Sequence, residues 1–183
     1  MWSDFELDAP VLPPYQDRRG HVARWLDGVL PGPWRAALSG PEWRNLYSFV
    51  ARLHSAAPEL KLLDVIGLRA MLEALEESQP THVLEDVLPA AACWIIYAGG
   101  RLKGNKIPYA QWDDTSETKH LPWSVGKLYE GRGLKHFCPE RWEFWRARLV
   151  VMRDREDLDA AARAYAAKAV EEIERLDRIE SSA

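Results

Sequence analysis

The longest apolar stretch of the chain is Val87-Leu88-Pro89-Ala90-Ala91-Ala92-Cys93-Trp94-Ile95-Ile96-Tyr97-Ala98-Gly99-Gly100. It lies within a segment, about residues 81–102, that begins near Pro80-Thr81 and ends near the glycine pair, and these are ordinary signals for the two ends of a helix. A helix this apolar has to be buried in a protein core. The stretch is too short to cross a membrane, which takes roughly 20 apolar residues. Pro89 inside the segment predicts a kink or an earlier start of the helix.

Five further segments carry helical signals. Residues 15–30 have apolar side chains on one side and end before Pro31-Gly32-Pro33. Pro41 opens a second helix that Pro58 stops, and residues 62–77 form a third whose apolar residues nearly encircle it, which predicts a central position. Pro139 opens a fifth helix that breaks or bends near residues 154–157, and a last helix covers about residues 157–179.

These elements predict an all-α fold: one domain over residues 1–183, a helical bundle of about six helices. The proline-marked residues 1–14 are expected to form an extended arm. Residues 104–137 form a stretch rich in glycine, proline and polar residues between the fourth and fifth helices. A connection this long is unusual in a small domain and is generally functional or disordered, and we expect an ordered loop that covers the bundle.

Composition limits the classes of function. With 47% apolar and 28% charged residues the chain is globular, and the formal net charge of -4 argues against a nucleic-acid surface. Two cysteines, Cys93 and Cys138, form no disulfide framework. The first residues do not resemble a signal peptide. We therefore expect a cytoplasmic protein that binds neither membrane nor nucleic acid.

Polar residues recur on one broad face of the fourth helix: His82, Asp86, Cys93, Tyr97 and Arg101. A polar stripe on a core helix has to be hydrogen-bonded or wet. One interpretation is a pocket in which His82 or Asp86 acts as acid or base, Tyr97 donates a hydrogen bond and Arg101 binds an anion. The alternative is that the charged residues lie in water at the helix ends, with only Cys93 and Tyr97 buried.

The second predicted helix carries His54 on its apolar stripe, where it could complete the same pocket as a catalytic residue beside Tyr97. A histidine in this position is also common as an ordinary core or rim residue. On the third helix Glu73 and Glu76 lie within a turn or two of Arg69. They could provide an active-site carboxylate, although a structural ion pair is the simpler interpretation.

Aromatic residues of the long loop are candidate ligand contacts. Trp112 and Trp123 could cover a pocket or anchor a partner, with Tyr129 beside them, or they could simply pin the loop to the bundle. By contrast, Trp142 and Trp145 lie three residues apart on a helix and are expected in the core. Loop residues Asp113, Asp114, His120 and His136 fit no known metal cage, so no metal site is predicted.

Several segments together resemble a fungal family catalogued as a domain of unknown function, over about residues 40–176. They carry a pattern similar to GxLWxG…ERWxFW, in which this chain has Tyr129 at the position of the family's tryptophan. The resemblance implies a fungal, intracellular, helical protein and brings no activity or catalytic residues with it. In chain order the segments are residues 43–53, 68–73, 90–99, 126–131 and 139–145.

Standard catalytic signatures are absent: the chain has no phosphate loop, dinucleotide-binding glycine motif, His-Glu-x-x-His or Gly-x-Ser-x-Gly sequence. The favoured hypothesis is binding of an apolar small molecule in a pocket lined by tryptophan and tyrosine, with or without acid/base transformation and without a cofactor. The alternative is a non-enzymatic protein-protein interaction module. The sequence leaves open whether the protein is an enzyme, and it leaves the oligomeric state open.

Overall fold

The computed structural model describes residues 39–57, 60, 62–104, 125–131 and 137–182. Helices make up 80% of these residues, and no β-strand occurs among them. The all-α fold class is therefore confirmed. The predicted arm and first helix, as well as most of the predicted loop, lie outside the described residues.

The first described helix, α1, spans Gly40–Ala56, with Pro41 in its first turn as the sequence predicts. Ser39 and Glu42 form a capping box at its N-terminus. In it the Ser39 N–H donates to Glu42 Oε2 at 2.8 Å. This reciprocal arrangement satisfies amide groups that have no partner within the helix. The buried face of α1 includes Trp43, Ala51 and His54.

The predicted helix over residues 62–77 is in fact two elements. An α-helix, α2, spans Leu62–Met71, and a π-helical segment spans Leu72–Glu76. A π-helical turn has the same apolar side chains as an α-helix, so periodicity alone does not reveal it. Such turns are rare in proteins as a whole, but those that occur are often found at functional sites. This one ends in the buried residues Ala74, Leu75 and Glu76.

The apolar stretch forms the long helix α3, Thr81–Gly104, which runs through Pro89. Trp94 and Ile95 at its middle are fully buried. Of the described helices α3 alone is long and apolar enough to cross a membrane, yet 61% of that window is buried inside the protein. Burial of this kind is ordinary for a core helix, so the finding is weak evidence for a membrane span.

Two more helices complete the described bundle: α4, Pro139–Arg153, and α5, Ala160–Ser181. The prediction that Trp142 and Trp145 lie in the core is confirmed, since their exposed fractions are 4% and 0%. On α5 the buried face carries small alanines, which let the helix lie close to its neighbour. Asp159 caps α5 by accepting a hydrogen bond from the Ala162 N–H at 2.6 Å.

Helix α3 is the centre of the bundle. It packs against α1 on one side and α5 on another, and it also contacts α2 and the π-helical segment. Helix α4 packs against α5 and the π-helical segment. Close packing leaves no room for a side chain at Gly67 of α2, where a Cβ atom would lie 2.8 Å from the Trp94 ring. This arrangement brings polar residues of α1, α2 and α3 together in the core.

Candidate functional site

His54 lies in the last turn of α1 and is fully buried. The apolar stripe of α1 turns its side chain towards α3, where the Trp94 ring meets the imidazole edge-on with a centroid distance of 5.4 Å. A polar ring at this depth needs hydrogen-bond partners, because burial without them costs free energy. The partners come from α2 and α3.

Asp64, in the first turn of α2, is also fully buried, and its Oδ1 atom forms a hydrogen bond with His54 Nε2. The sequence places this aspartate inside the apolar run Leu62-Leu63-Asp64-Val65-Ile66. An ionised carboxylate in such surroundings is costly unless a charged or hydrogen-bonding partner compensates it. The His54–Asp64 pair is therefore a specific polar feature in an otherwise apolar region.

Arg101 of α3 reaches the same histidine: its Nε–H points at His54 Nε2 over 3.2 Å. The Nε2 atom carries either a hydrogen or a lone pair, and therefore satisfies one of its two neighbours at a time. With a hydrogen it donates to Asp64, and without one it accepts from Arg101. The two arrangements differ by the position of one proton on the imidazole ring.

Two polar atoms of this cluster have no hydrogen-bond partner among the described residues: His54 Nδ1 and Asp64 Oδ2. Both are buried. Buried polar atoms in folded proteins are nearly always paired, either with protein groups or with ordered water. We call His54, Asp64 and Arg101 the core polar cluster, and its two unpaired atoms distinguish it from the other buried polar groups described below.

A second buried ion pair lies at the end of the π-helical segment. Glu76 and Arg141 of α4 are both fully buried, with Arg141 Nε donating to Oε1 at 2.6 Å and Nη2 to Oε2 at 2.9 Å. Trp145 Nε1 donates to Oε1 at 2.6 Å and the Gly126 N–H to Oε2 at 2.9 Å. Four donors satisfy this carboxylate, and its charged partner is Arg141, whereas the sequence had pointed to Arg69. We call Glu76, Arg141, Trp145 and Gly126 the Glu76 brace.

This brace holds the turn at residues 126–131 against the bundle. The Leu128 N–H donates to the Glu76 carbonyl oxygen at 2.9 Å, and a Cβ atom at Gly126 would lie 2.5 Å from Glu76 Cβ. Tyr129 is 1% exposed, and its hydroxyl lies 3.7 Å from Cys138 Sγ. Burial, reinforced by that hydrogen bond, raises the pKa of Tyr129 above its ordinary value.

Comparison with known proteins adds one finding. A family model described as protein of unknown function, DUF3632, matches residues 14–149. The chain belongs to the DUF3632 family. No curated protein and no solved structure matches the chain. The matched residues include every member of the core polar cluster and of the Glu76 brace, whereas α5 lies beyond them.

In this DUF3632 protein the residues of the predicted polar stripe of α3 lie in different environments. Arg101 joins His54, whereas Tyr97 is half-buried beneath Arg52, whose guanidinium carbon lies 4.2 Å from the ring centroid. His82 and Asp86 are exposed near the start of the helix. Asp86 is about 22 Å from Arg101 along the helix axis, at 1.5 Å per residue. The geometry therefore does not bring His82 or Asp86 to the core polar cluster.

Of the predicted ligand contacts on the loop, Trp112 and Trp123 lie outside the described residues. Tyr129 is described, and it contacts the Glu76 brace and the Phe144 ring, whose centroid is 5.1 Å away. None of the described residues form a group of three metal-binding side chains. The residues considered for a loop metal site, Asp113, Asp114, His120 and His136, lie outside the described part.

Sequence reasoning missed Asp64, although a signal was present. A lone carboxylate within an apolar run at the start of a core helix indicates a buried, paired charge. Arg141 was missed as well, although a similar signal was present. It falls on the same helix face as Trp145 and Leu149, where a charge has to be compensated. The sequence does not say which residue compensates it.

Proposed function

We propose that this protein binds a small, largely apolar molecule in the helical core beside His54, Asp64 and Arg101, and that His54 and Asp64 exchange a proton with it. The observation that carries the proposal is the pair of buried polar atoms, His54 Nδ1 and Asp64 Oδ2, that have no partner in the described structure. A ligand hydroxyl would donate to Asp64 Oδ2, and a hydroxyl or carbonyl group would pair with His54 Nδ1 according to the histidine tautomer. Helix bundles commonly place ligand sites between facing helices.

The surroundings define the class of ligand. The Trp94 ring contacts His54, and Val65 and Ile66, which follow Asp64 on α2, belong to the hydrophobic core, so most of the ligand would be apolar. Its polar group would meet either a donor or an acceptor at Nδ1, depending on the tautomer of His54. When Nε2 carries the hydrogen, Nδ1 can accept a proton from the ligand. The imidazolium formed would then be stabilised by the adjacent Asp64 carboxylate.

Arg101 has a different role in this proposal. Its guanidinium would supply positive charge beside His54, which stabilises negative charge that develops on a bound ligand. No cofactor is required for a proton transfer of this kind.

The proposal can be tested by native mass spectrometry of the full chain after incubation with a metabolite extract. We expect a bound small molecule on the wild type, and its loss in the Asp64→Asn variant, which keeps the shape of the side chain and removes its charge. Asp154→Asn is the matched control, because Asp154 is exposed and pairs only locally with Arg153. Equal adducts on both variants, or no adduct on the wild type, would contradict the proposal.

An interaction module is the alternative function, and one observation favours it. Phe49 and Leu53 lie one turn apart on α1 and are 64% and 37% exposed. Two side chains cover far less than the ~800 Å² per partner of a standard interface, and we therefore place the small-molecule site first. The interaction module would become the favoured function on two results together. Cross-linking would have to find a partner that the Phe49→Ser variant loses, and the metabolite adduct would have to be absent from all variants.

We also propose that the protein works in the cytoplasm. Both cysteines are free and buried, which suits a reducing compartment. Localisation of a fluorescent fusion tests this directly, and a secreted or membrane-bound fusion would contradict it.

A further inference from the structure

A second cluster of polar residues lies on the other flank of α1, away from His54. The Arg44 guanidinium carbon lies 5.6 Å from the ring centroid of Tyr165 on α5, and that of Arg52 lies 4.2 Å from the ring centroid of Tyr97 on α3. The Lys168 Nζ atom approaches the Tyr165 ring at 5.7 Å. We call these five residues the arginine–tyrosine patch.

The two arginines lie on the same broad face of α1, each over a tyrosine ring of a neighbouring helix. They are eight residues apart, about 12 Å along the axis of α1, yet both charges act on the buried thiol of Cys93. Burial raises the pKa of that thiol, and a hydrogen bond with Ser48 and the charges of Arg44 and Arg52 oppose the rise. Ser48 lies midway between the arginines in the sequence and on the same helix face.

Neither arginine has a carboxylate partner within the described residues. Arg141, Arg153 and Arg175, by comparison, each pair with a glutamate or aspartate. Three cations held together in a chain of net charge -4 repel one another. A bound anion would relieve this repulsion.

Each arginine combines a cation–π contact with N–H groups that can bind an anion. The guanidinium carbons of Arg44 and Arg52 lie over the rings of Tyr165 and Tyr97. The N–H groups lie along the edges of the planar guanidinium. Those edges match the two oxygens of a carboxylate or phosphate, which an arginine binds with two parallel hydrogen bonds.

We propose that the arginine–tyrosine patch binds a small molecule that carries two oxyanion groups, carboxylate or phosphate, with Arg44 and Arg52 each holding one. Lys168 adds charge, and Ser48 can donate a hydrogen bond from between the two arginines. This site is separate from the core polar cluster, since it lies on the opposite flank of α1 and shares no residue with it.

The test is titration of the isotope-labelled full chain, monitored by backbone amide resonances, at constant ionic strength. Inorganic pyrophosphate probes the phosphate form of the ligand, succinate the carboxylate form, and acetate serves as the single-anion reference. We expect saturable shifts at residues 44–52 and 93–97 with pyrophosphate or succinate, and the stronger of the two identifies the chemistry. Shifts no larger than those with acetate would overturn the proposal.

Two variants sharpen this test. Arg52→Gln is expected to weaken binding of the active probe at least ~10-fold, because a good charge-assisted contact contributes that much to affinity. Arg52 is exposed, so the variant should keep the circular dichroism of the wild type. Arg153→Gln removes an arginine that is paired with Asp154 and should leave the affinity unchanged. Equal affinities of the two variants would contradict the assignment.

Discussion

Glu76 and Arg141 are both fully buried and are joined by two hydrogen bonds of 2.6 and 2.9 Å across 65 residues of sequence. Their pairing ties the π-helical segment to α4 and, through Gly126, to the turn that follows the long connection. A buried charge pair stabilises a fold little in comparison with apolar packing, but removal of one partner is costly. The brace therefore gives the sharpest stability prediction.

Arg141→Met is expected to lower the free energy of unfolding by about 3–5 kcal/mol, because it leaves the Glu76 carboxylate buried without a counter-charge. Urea denaturation measures this loss. The control is Arg153→Met, which removes an exposed arginine from its pair with Asp154 and should change the stability little. Similar midpoints for the two variants would show that Glu76 does not depend on Arg141.

Gly126→Ala is expected to destabilise the protein by about 1–3 kcal/mol through overpacking. The added Cβ atom would lie 2.5 Å from both the Cβ and the carbonyl oxygen of Glu76, so the turn has to move and lose its hydrogen bonds. Gly100→Ala is the matched control, because its Cβ atom would meet only the flexible end of Leu176 at 3.3 Å. Thermal unfolding of both variants checks the difference, and equal midpoints would contradict it.

Stability is expected to fall as the pH rises above about 10. Burial and the contact with Cys138 raise the pKa of Tyr129 in the folded protein, whereas an unfolded tyrosine titrates near 10. The unfolded state thus loses its proton first, and the contribution of Tyr129, fully present below that pH, disappears as the pH climbs. Urea midpoints between pH 8 and 11 measure the trend, and a wild-type slope no steeper than that of Tyr129→Phe would refute this origin.

Trp94 and Tyr97 should respond differently to substitution although both lie on α3. Trp94→Ala opens a void in the centre of the bundle and is expected to cost about 3–5 kcal/mol of unfolding free energy. Tyr97→Phe keeps the ring beneath Arg52 and should stay within about 1.5 kcal/mol of the wild type. A large loss for Tyr97→Phe in urea denaturation would make its hydroxyl a structural anchor.

The sequence predicted the helices better than it predicted the polar sites. Apolar periodicity and the prolines at positions 41 and 139 indicate where helices begin, and the buried tryptophans of α4 follow from spacing alone. The π-helical turn at residues 72–76 has no separate periodic signal. Helix spacing also places Tyr97 and Arg101 on one face, yet their partners come from opposite flanks of α1.

The periodicity of apolar residues does not indicate which distant residues pair with one another. Asp64 and Arg141 are charged residues on apolar faces, which shows that each needs a partner but not which one. The segments that carry the family resemblance, residues 126–131 and 139–145, meet at Glu76, and their contact becomes visible only in three dimensions. The candidate site depends on such contacts between helices.

The central claim, that the core polar cluster is a ligand site, is tested most directly by the ¹⁵N resonances of the histidine rings. His54 Nδ1 has no partner in the described structure, so a bound molecule has to change its resonance. We predict that incubation with a metabolite extract shifts Nδ1 of His54 while the exposed ring of His82 stays unchanged. Identical His54 resonances before and after incubation, in a wild type that keeps its fold, would contradict the account.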